Sequence, residues 1–110
     1  MIIAVDFDGT LCEEEWPEIG SANKFLINKL IDLQKQGAKV ILWTCRNGNL
    51  LEDAVNWCGQ HGLIFDAVNE NLPEILESYG GKDSRKITAD YYIDDKALNP
   101  LYHVIDLLQN

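Results

Sequence analysis

Basic residues are scarce in this chain of 110 residues, which has nine lysines and arginines against eighteen acidic residues and a formal net charge of −9. Nucleic-acid backbones and anionic membranes are repelled by such a surface, so we expect neither to be the main partner. A small anionic substrate is still compatible with this charge, because a bound metal ion reverses the local field.

Long apolar runs are also lacking, and no stretch approaches the ~20 residues of a membrane span. The apolar run Ile2 to Val5 is interrupted by Asp6, which is not the pattern of a signal peptide. We therefore expect a cytoplasmic protein without membrane contact.

Cysteine and histidine are sparse as well. Cys12, Cys45 and Cys58 form no CxxC pair and are odd in number, which argues against a disulfide framework or a zinc site. The two histidines, His61 and His103, are isolated and are interpreted as surface or core residues. A hydrophobic fraction of 46% excludes a disordered chain, and residues 1–110 have the length of a single domain.

Short apolar runs alternate with longer helical patterns along the chain, and we predict four strands and four helices. The helices are expected to begin at a Ser21 cap, after Thr44, at an Asn71–Glu74 capping box and at Asn99. The predicted strands span residues 2–5, 39–43, 64–68 and 89–93.

This β-α alternation predicts a Rossmann-like three-layer α/β/α sandwich with a mainly parallel sheet. Ligands of such sheets bind outside the carboxyl ends of the strands, so the residues that follow each strand are the candidates. The side chains found there are Asp6, Asp8, Thr44, Cys45, Arg46, Asn69, Asp94 and Asp95.

Four of these candidates are carboxylates, from two segments far apart in the chain. Asp6 and Asp8 follow the first strand, and Asp94 and Asp95 follow the fourth. Like charges this close cannot all stay ionised without help, so either some of them are protonated or a cation lies among them. Carboxylate oxygens suit a hard ion such as Mg²⁺.

The segment Asp6 to Leu11, of the form DxDGT and preceded by an apolar strand, resembles the first motif of haloacid dehalogenase superfamily phosphatases. Thr44 matches the second motif by position, and the pair Asp94 and Asp95 matches the acidic fourth motif. The resemblance implies a Mg²⁺-dependent phosphatase that acts on a phosphorylated substrate.

The same resemblance implies a role for each carboxylate. Asp6 would attack phosphorus to form an aspartyl-phosphate, and Asp8 would serve as general acid and then general base. Magnesium would be held by an oxygen of Asp6, the backbone carbonyl of Asp8, Asp95 and Asp94, with Asp95 the closer ligand. Thr44 would hold a phosphate oxygen through its hydroxyl and nearby free backbone N–H groups.

The third motif, a lysine that neutralises the nucleophile and the phosphate, has no clear counterpart. Lys86 is the obvious candidate, but an extended strand between it and Asp94 would put it about 26 Å away. It can serve only if the chain folds back before a short strand that begins near Tyr91. Arg46 and Lys96 are the alternatives that lie closer in sequence to the motifs.

The stretch Leu11 to Gly20 is too short for a cap domain, so the chain resembles the capless members and is expected to have a flap there. An open site suits a bulky substrate, or a small one covered by a second subunit in a homo-oligomer. Trp16 either contacts substrate or packs under the loop. Two other functions stay open: a catalytically silent metal- and phosphate-binding module, and a receiver-like phospho-acceptor domain.

Overall fold

A short apolar strand, β1 (Ile2–Val5), lies inside the main sheet of the computed structural model, which describes residues 1–97. Its last three residues are buried because both faces of the strand are covered. It pairs in parallel with β4 (Lys39–Leu42) on one side and β6 (Tyr91–Ile93) on the other. β5 (Ala67–Val68) adds to β4, also in parallel, so the strand order is β5-β4-β1-β6. The predicted parallel sheet is confirmed.

Helices cover both faces of this sheet. α1 (Lys24–Lys35) and α2 (Gly48–Gln60) contribute buried side chains to one core, together with Val5 of β1. α3 (Pro73–Ser78) packs against a second core around Ala4, whose side chain points to the opposite face. The fold is therefore the Rossmann-like α/β arrangement predicted from the sequence.

The connection between β1 and α1 forms a β-hairpin of β2 (Cys12–Glu15) and β3 (Glu18–Ala22), which turns at Trp16 and Pro17. This hairpin occupies the place of the predicted flap. Its residues project from the edge of the sheet where β1 ends, which positions them beside any ligand bound there.

Two predicted helix caps are wrong. Ser21 lies within β3, and α1 begins instead after Asn23, whose side chain accepts a hydrogen bond from the Leu26 N–H at 3.1 Å. Asn71 does not cap α3, which follows Leu72. Its buried side-chain amide instead donates a hydrogen bond to Asp83 and accepts one from the Thr88 N–H.

The last two strands are shorter than predicted, and α3 ends at Ser78 as the glycine pair after it suggests. The predicted helix after Asn99 lies outside the described residues. Among residues 1–97, no helix is long and apolar enough to cross a membrane.

From β1 the chain runs to β4 and β5 on one side, and it then crosses back to β6 on the other side of β1. Ligand sites of open parallel sheets form where the strand order reverses in this way, at the carboxyl ends of the strands. In this chain, that place is where Asp6 and Asp94 follow their strands.

Candidate active site

The strand register brings the acidic segments together. Val5 is paired with Ile93, and the Asp6 N–H donates a hydrogen bond to the Ile93 carbonyl at 2.9 Å. The next residues along the two strands, Asp6 and Asp94, are therefore neighbours. The prediction that two distant segments meet at one sheet edge is confirmed.

Asp6, Asp94 and Asp95 form a carboxylate cluster in which one oxygen of each lies within 4.8 Å of the others. Asp94 and Asp95 are exposed, and Asp6 is half-buried. Three hard oxygen donors at this spacing fit a magnesium ion, which binds through carboxylates and retains several waters. The donor chemistry of the cluster therefore matches the predicted cation.

Thr10 connects two members of the cluster, Asp6 and Asp95. Its hydroxyl donates to Asp6 Oδ2 at 3.1 Å and accepts from the Asp95 backbone N–H, also at 3.1 Å. Gly9 has a φ of +82°, and a Cβ there would lie 2.3 Å from Asp95 Oδ2. The glycine and threonine of the DxDGT segment thus position Asp95 against Asp6.

The cluster changes the titration of Asp6. Partial burial raises its pKa from an ordinary value of 3.8 to about 6, and the negative charge of Asp94 adds to the rise. The hydrogen bond from Thr10 acts in the opposite direction. Without a cation, ionised Asp6 is therefore in an unfavourable environment, which a bound positive charge relieves.

Asp8 does not belong to the cluster, because its carboxylate is paired with Arg46. The Nε of Arg46 donates to Asp8 Oδ2 at 2.8 Å, and Nη2 donates to Oδ1 at 2.7 Å. The Arg46 side chain is 1% exposed and that of Asp8 is 18% exposed. This fork fixes the orientation of the carboxylate, and the hydrogen bond to Asp8 raises the pKa of Arg46.

Arg46 also joins Asp8 to the hairpin. Its Nη2 donates to the Glu18 carbonyl at 3.0 Å, and its guanidinium lies 5.1 Å from the centre of the Trp16 ring. The ring of Phe7 packs against it at 5.0 Å. Arg46 therefore links the hairpin to the segment that follows β1.

Thr44 lies at the end of β4, where its loop is fixed by Asn69. The Thr44 N–H donates to Asn69 Oδ1 at 2.8 Å, and the Thr44 hydroxyl accepts from the Arg46 N–H at 3.1 Å. These two N–H groups are satisfied within the loop, so neither is one of the free backbone donors expected near Thr44. The Thr44 O–H proton remains available to a ligand.

A cavity of about 270 Å³ opens over these groups. It combines the carboxylate cluster with Asp8, the Thr44 loop and the hairpin. Its lining residues are Asp6, Asp8, Glu14, Trp16, Thr44, Cys45, Asp94, Asp95 and Lys96.

Neither a protein-family model nor a curated protein sequence matches the chain. Among solved structures, it is similar to a conserved protein coded by a locus from Bacteroides thetaiotaomicron, with 38% sequence identity and a TM-score of 0.78. The match covers 99% of this chain and 89% of that chain. The chain belongs to the same family as this conserved Bacteroides protein. The shared fold supports the architecture described above.

The three candidate cations lie in different surroundings. Arg46 is directed at Asp8 rather than at Asp6, and Lys86 lies over the ring of Tyr92, with its Nζ 5.6 Å from the ring centre. The strand does begin at Tyr91, as the Lys86 hypothesis required. Of the three, Lys96 lines the cavity together with the carboxylate cluster.

The sequence did not determine the positions of two residues at the site. Glu14 is exposed and lines the cavity, although the run of three glutamates gave no sign of which one would do so. Trp16 was left open between substrate contact and packing under the loop, and its side chain is 51% exposed and lines the cavity. The signal that places both residues there is the hairpin itself, which is set by pairing across the turn.

We expect Gly9→Ala to weaken Mg²⁺ binding by about tenfold or more, because the added methyl group displaces Asp95. Gly37→Ala is the matched control, since Gly37 also has a positive φ, +100°, but has nothing within 4 Å of the added carbon. Both variants should lose about 1–2 kcal/mol of stability from backbone strain. Calorimetric Mg²⁺ titration separates them, and equal affinities would contradict the positioning role of Gly9.

The raised pKa of Asp6 predicts a pH dependence for the metal-free protein. Folded Asp6 keeps its proton up to about pH 6 whereas the unfolded chain releases it near 3.8, so the folded state binds more protons in between. Stability should therefore fall as pH rises through this window, by about 1–2 kcal/mol after allowing for solvent screening. Denaturant unfolding from pH 4 to 7 in EDTA measures the free energy of unfolding. The decrease of this free energy with pH should disappear in Asp6→Asn.

Proposed function

We propose that the chain is a Mg²⁺-dependent phosphohydrolase that cleaves phosphate monoesters through an aspartyl-phosphate on Asp6. The observation that carries the proposal is the convergence of Asp6 with Asp94 and Asp95, beside an Asp8 held by Arg46. The likeness of the Asp6 to Leu11 segment to the first motif of haloacid dehalogenase phosphatases supports the same assignment.

In the first step, a carboxylate oxygen of Asp6 attacks phosphorus. The phosphorus–oxygen bond to the leaving alcohol breaks, and Asp8, present as the acid, gives its proton to that oxygen. In the second step, Asp8, now a carboxylate, takes a proton from a water molecule whose oxygen attacks the same phosphorus. The bond between phosphorus and the Asp6 oxygen breaks, inorganic phosphate leaves, and Asp6 is again a carboxylate and Asp8 again the acid.

Arg46 has a positioning role in this scheme. Its two donors hold both oxygens of Asp8 and so determine where the carboxylate lies relative to Asp6. The two N–H donors of Arg46 suit the ionised form of Asp8, which is the form that activates water. In the first step Asp8 is protonated, so the oxygen that carries the proton has to turn away from the guanidinium.

Binding of the phosphoryl group falls to the Thr44 loop and Lys96. The Thr44 hydroxyl has a proton to donate, and, within the described part of the chain, the Cys45 N–H has no hydrogen-bond acceptor. Both residues line the cavity. Lys96 also lines the cavity and carries positive charge, so it is favoured over Arg46 and Lys86 for the role of the third motif.

Magnesium would be held by the carboxylates of Asp6, Asp94 and Asp95, with the backbone carbonyl of Asp8 as the further ligand that the resemblance implies. When bound, the ion neutralises charge on the transferring phosphoryl group and orients it toward the nucleophile. Both acidic residues after β6 contribute to the cluster, so neither is favoured as the primary ligand.

A panel of phosphate esters, including a generic aryl phosphate, tests this proposal when it is assayed with Mg²⁺ and with EDTA. We expect hydrolysis with Mg²⁺ and none with EDTA. A thermal melt stabilised by Mg²⁺ without hydrolysis of any ester would indicate the silent binding module instead. A stable phosphoryl-protein without ester turnover would indicate a receiver-like domain.

A further inference from the structure

We infer that the hairpin side of the cavity is a subsite for the leaving group, in which Glu14 and Trp16 select monophosphate esters of small, hydroxyl-bearing ring compounds that carry no second anion. This inference rests on the proposed function and names its substrate class. Glu14 and Trp16 share the cavity with Asp6 and Asp8, so a ligand bound at the nucleophile meets both.

The side chains that lie beside the nucleophile indicate where the leaving group extends. Asp8 would protonate the leaving oxygen, and Arg46 packs directly behind Asp8. The Trp16 ring lies over the same guanidinium, 5.1 Å from its centre. The leaving alcohol therefore extends from Asp6 past Asp8 toward the hairpin and the indole ring.

Trp16 is suited to bind a ring face. Contact with the buried guanidinium of Arg46 fixes the orientation of the indole, while 51% of the side chain stays exposed. An aromatic surface that is held in place and left open binds other rings at little cost in conformational entropy. The leaving group therefore has one flat apolar face.

Glu14 determines the charge and polarity of the leaving group. An ionised carboxylate only accepts hydrogen bonds, so it favours hydroxyl donors. A second phosphate or carboxylate would meet Glu14 in a cavity that already contains the carboxylate cluster, and like-charge contacts of this kind suppress binding. The cavity of about 270 Å³ has room for a small ring beside the phosphoryl group.

The test is kcat/KM for matched pairs of substrates with Mg²⁺: a hexose monophosphate against a hexose bisphosphate, and a nucleoside monophosphate against a nucleoside bisphosphate. We expect the wild-type protein to favour each monophosphate by about tenfold or more, and Glu14→Gln to bring the ratio close to one. Glu15→Gln removes the same charge from an exposed neighbour that does not line the cavity, and it should leave the ratio unchanged. The better of the two monophosphates identifies the ring as sugar or nucleoside.

Trp16 is tested by substitution with leucine and phenylalanine. Trp16→Leu should raise KM for the preferred monophosphate about tenfold with a smaller change in kcat, and Trp16→Phe should restore most of the loss. Thermal melts check that both variants fold.

The inference is overturned if the ratio of monophosphate to bisphosphate is near one in the wild-type protein, or if Glu14→Gln leaves it unchanged. Equal KM values for the wild-type protein and Trp16→Leu would also overturn it. In each of these cases the wild-type protein still hydrolyses esters, so the proposed function stands. If no ester is hydrolysed with Mg²⁺, the proposed function and the inference fall together.

Discussion

Asp6→Asn is expected to lower kcat/KM for any hydrolysed phosphate ester by at least about 1,000-fold, since an amide cannot act as the nucleophile. The same variant should be more stable than the wild-type protein when both are free of metal at pH 7. The reason is that burial and Asp94 disfavour the charge on Asp6, and asparagine carries none. Allowing for solvent screening, the gain is about 1–2 kcal/mol.

Denaturant unfolding in EDTA and steady-state kinetics with Mg²⁺ measure the two effects separately. Asp90→Asn is the matched control, because Asp90 precedes the same strand, β6, and accepts a hydrogen bond from the Ile2 N–H at the far end of the sheet. That variant should keep its activity, since asparagine also accepts this bond. An active Asp6→Asn variant would exclude Asp6 as nucleophile. A variant less stable than the wild-type protein would contradict the statement that burial and Asp94 disfavour the charge on Asp6.

Arg46→Met is expected to destabilise the protein by about 3 kcal/mol, because it leaves the mostly buried Asp8 carboxylate without a partner. It also removes the hydrogen bond to Glu18 and the contact with Trp16 that hold the hairpin. Arg46→Lys keeps the charge but not the two-pronged geometry, so its loss should be intermediate.

A double-mutant cycle with Asp8→Asn isolates the ion pair in this prediction. If the unpaired carboxylate is the main cost, the double variant should be more stable than Arg46→Met alone, with a coupling energy of at least about 1 kcal/mol. Additive losses in urea unfolding would show that Arg46 stabilises the fold through packing alone. Hydrogen exchange at β2 and β3 should rise in every variant that lacks the arginine.

The central strands and the acidic residues could be predicted because their signals are local. Ile2 to Val5 is a continuous apolar run, and an Asp directly follows it, so both the strand and the location of the carboxylate follow from one short segment. Parallel pairing then brings Asp6 and Asp94 to the same edge without further information. Gly9 of the DxDGT segment is a local signal of the same kind, because a glycine this close to the end of a strand allows the positive φ that the structure shows there.

The hairpin and the partner of Arg46 could not be predicted in the same way. β2 consists of a buried cysteine followed by three exposed glutamates, so it has no alternation of apolar and polar residues. Ser21 was predicted to cap a helix because serine is a common cap residue. Its actual place in β3 depends on pairing across the turn, which the sequence does not show. Arg46 and Asp8 are 38 positions apart, and only the folded sheet shows that they meet.

The most direct test is to identify the phosphorylated residue. The protein is mixed with substrate and Mg²⁺, quenched with acid during turnover, and mapped by mass spectrometry. With an aryl phosphate, whose leaving group needs little help from an acid, Asp8→Asn slows mainly the second step, so a hydroxylamine-sensitive phosphoryl group should accumulate on Asp6 and should be absent in EDTA. A phosphoryl group on another residue, or none at all while the wild-type protein turns over substrate, would contradict the mechanism.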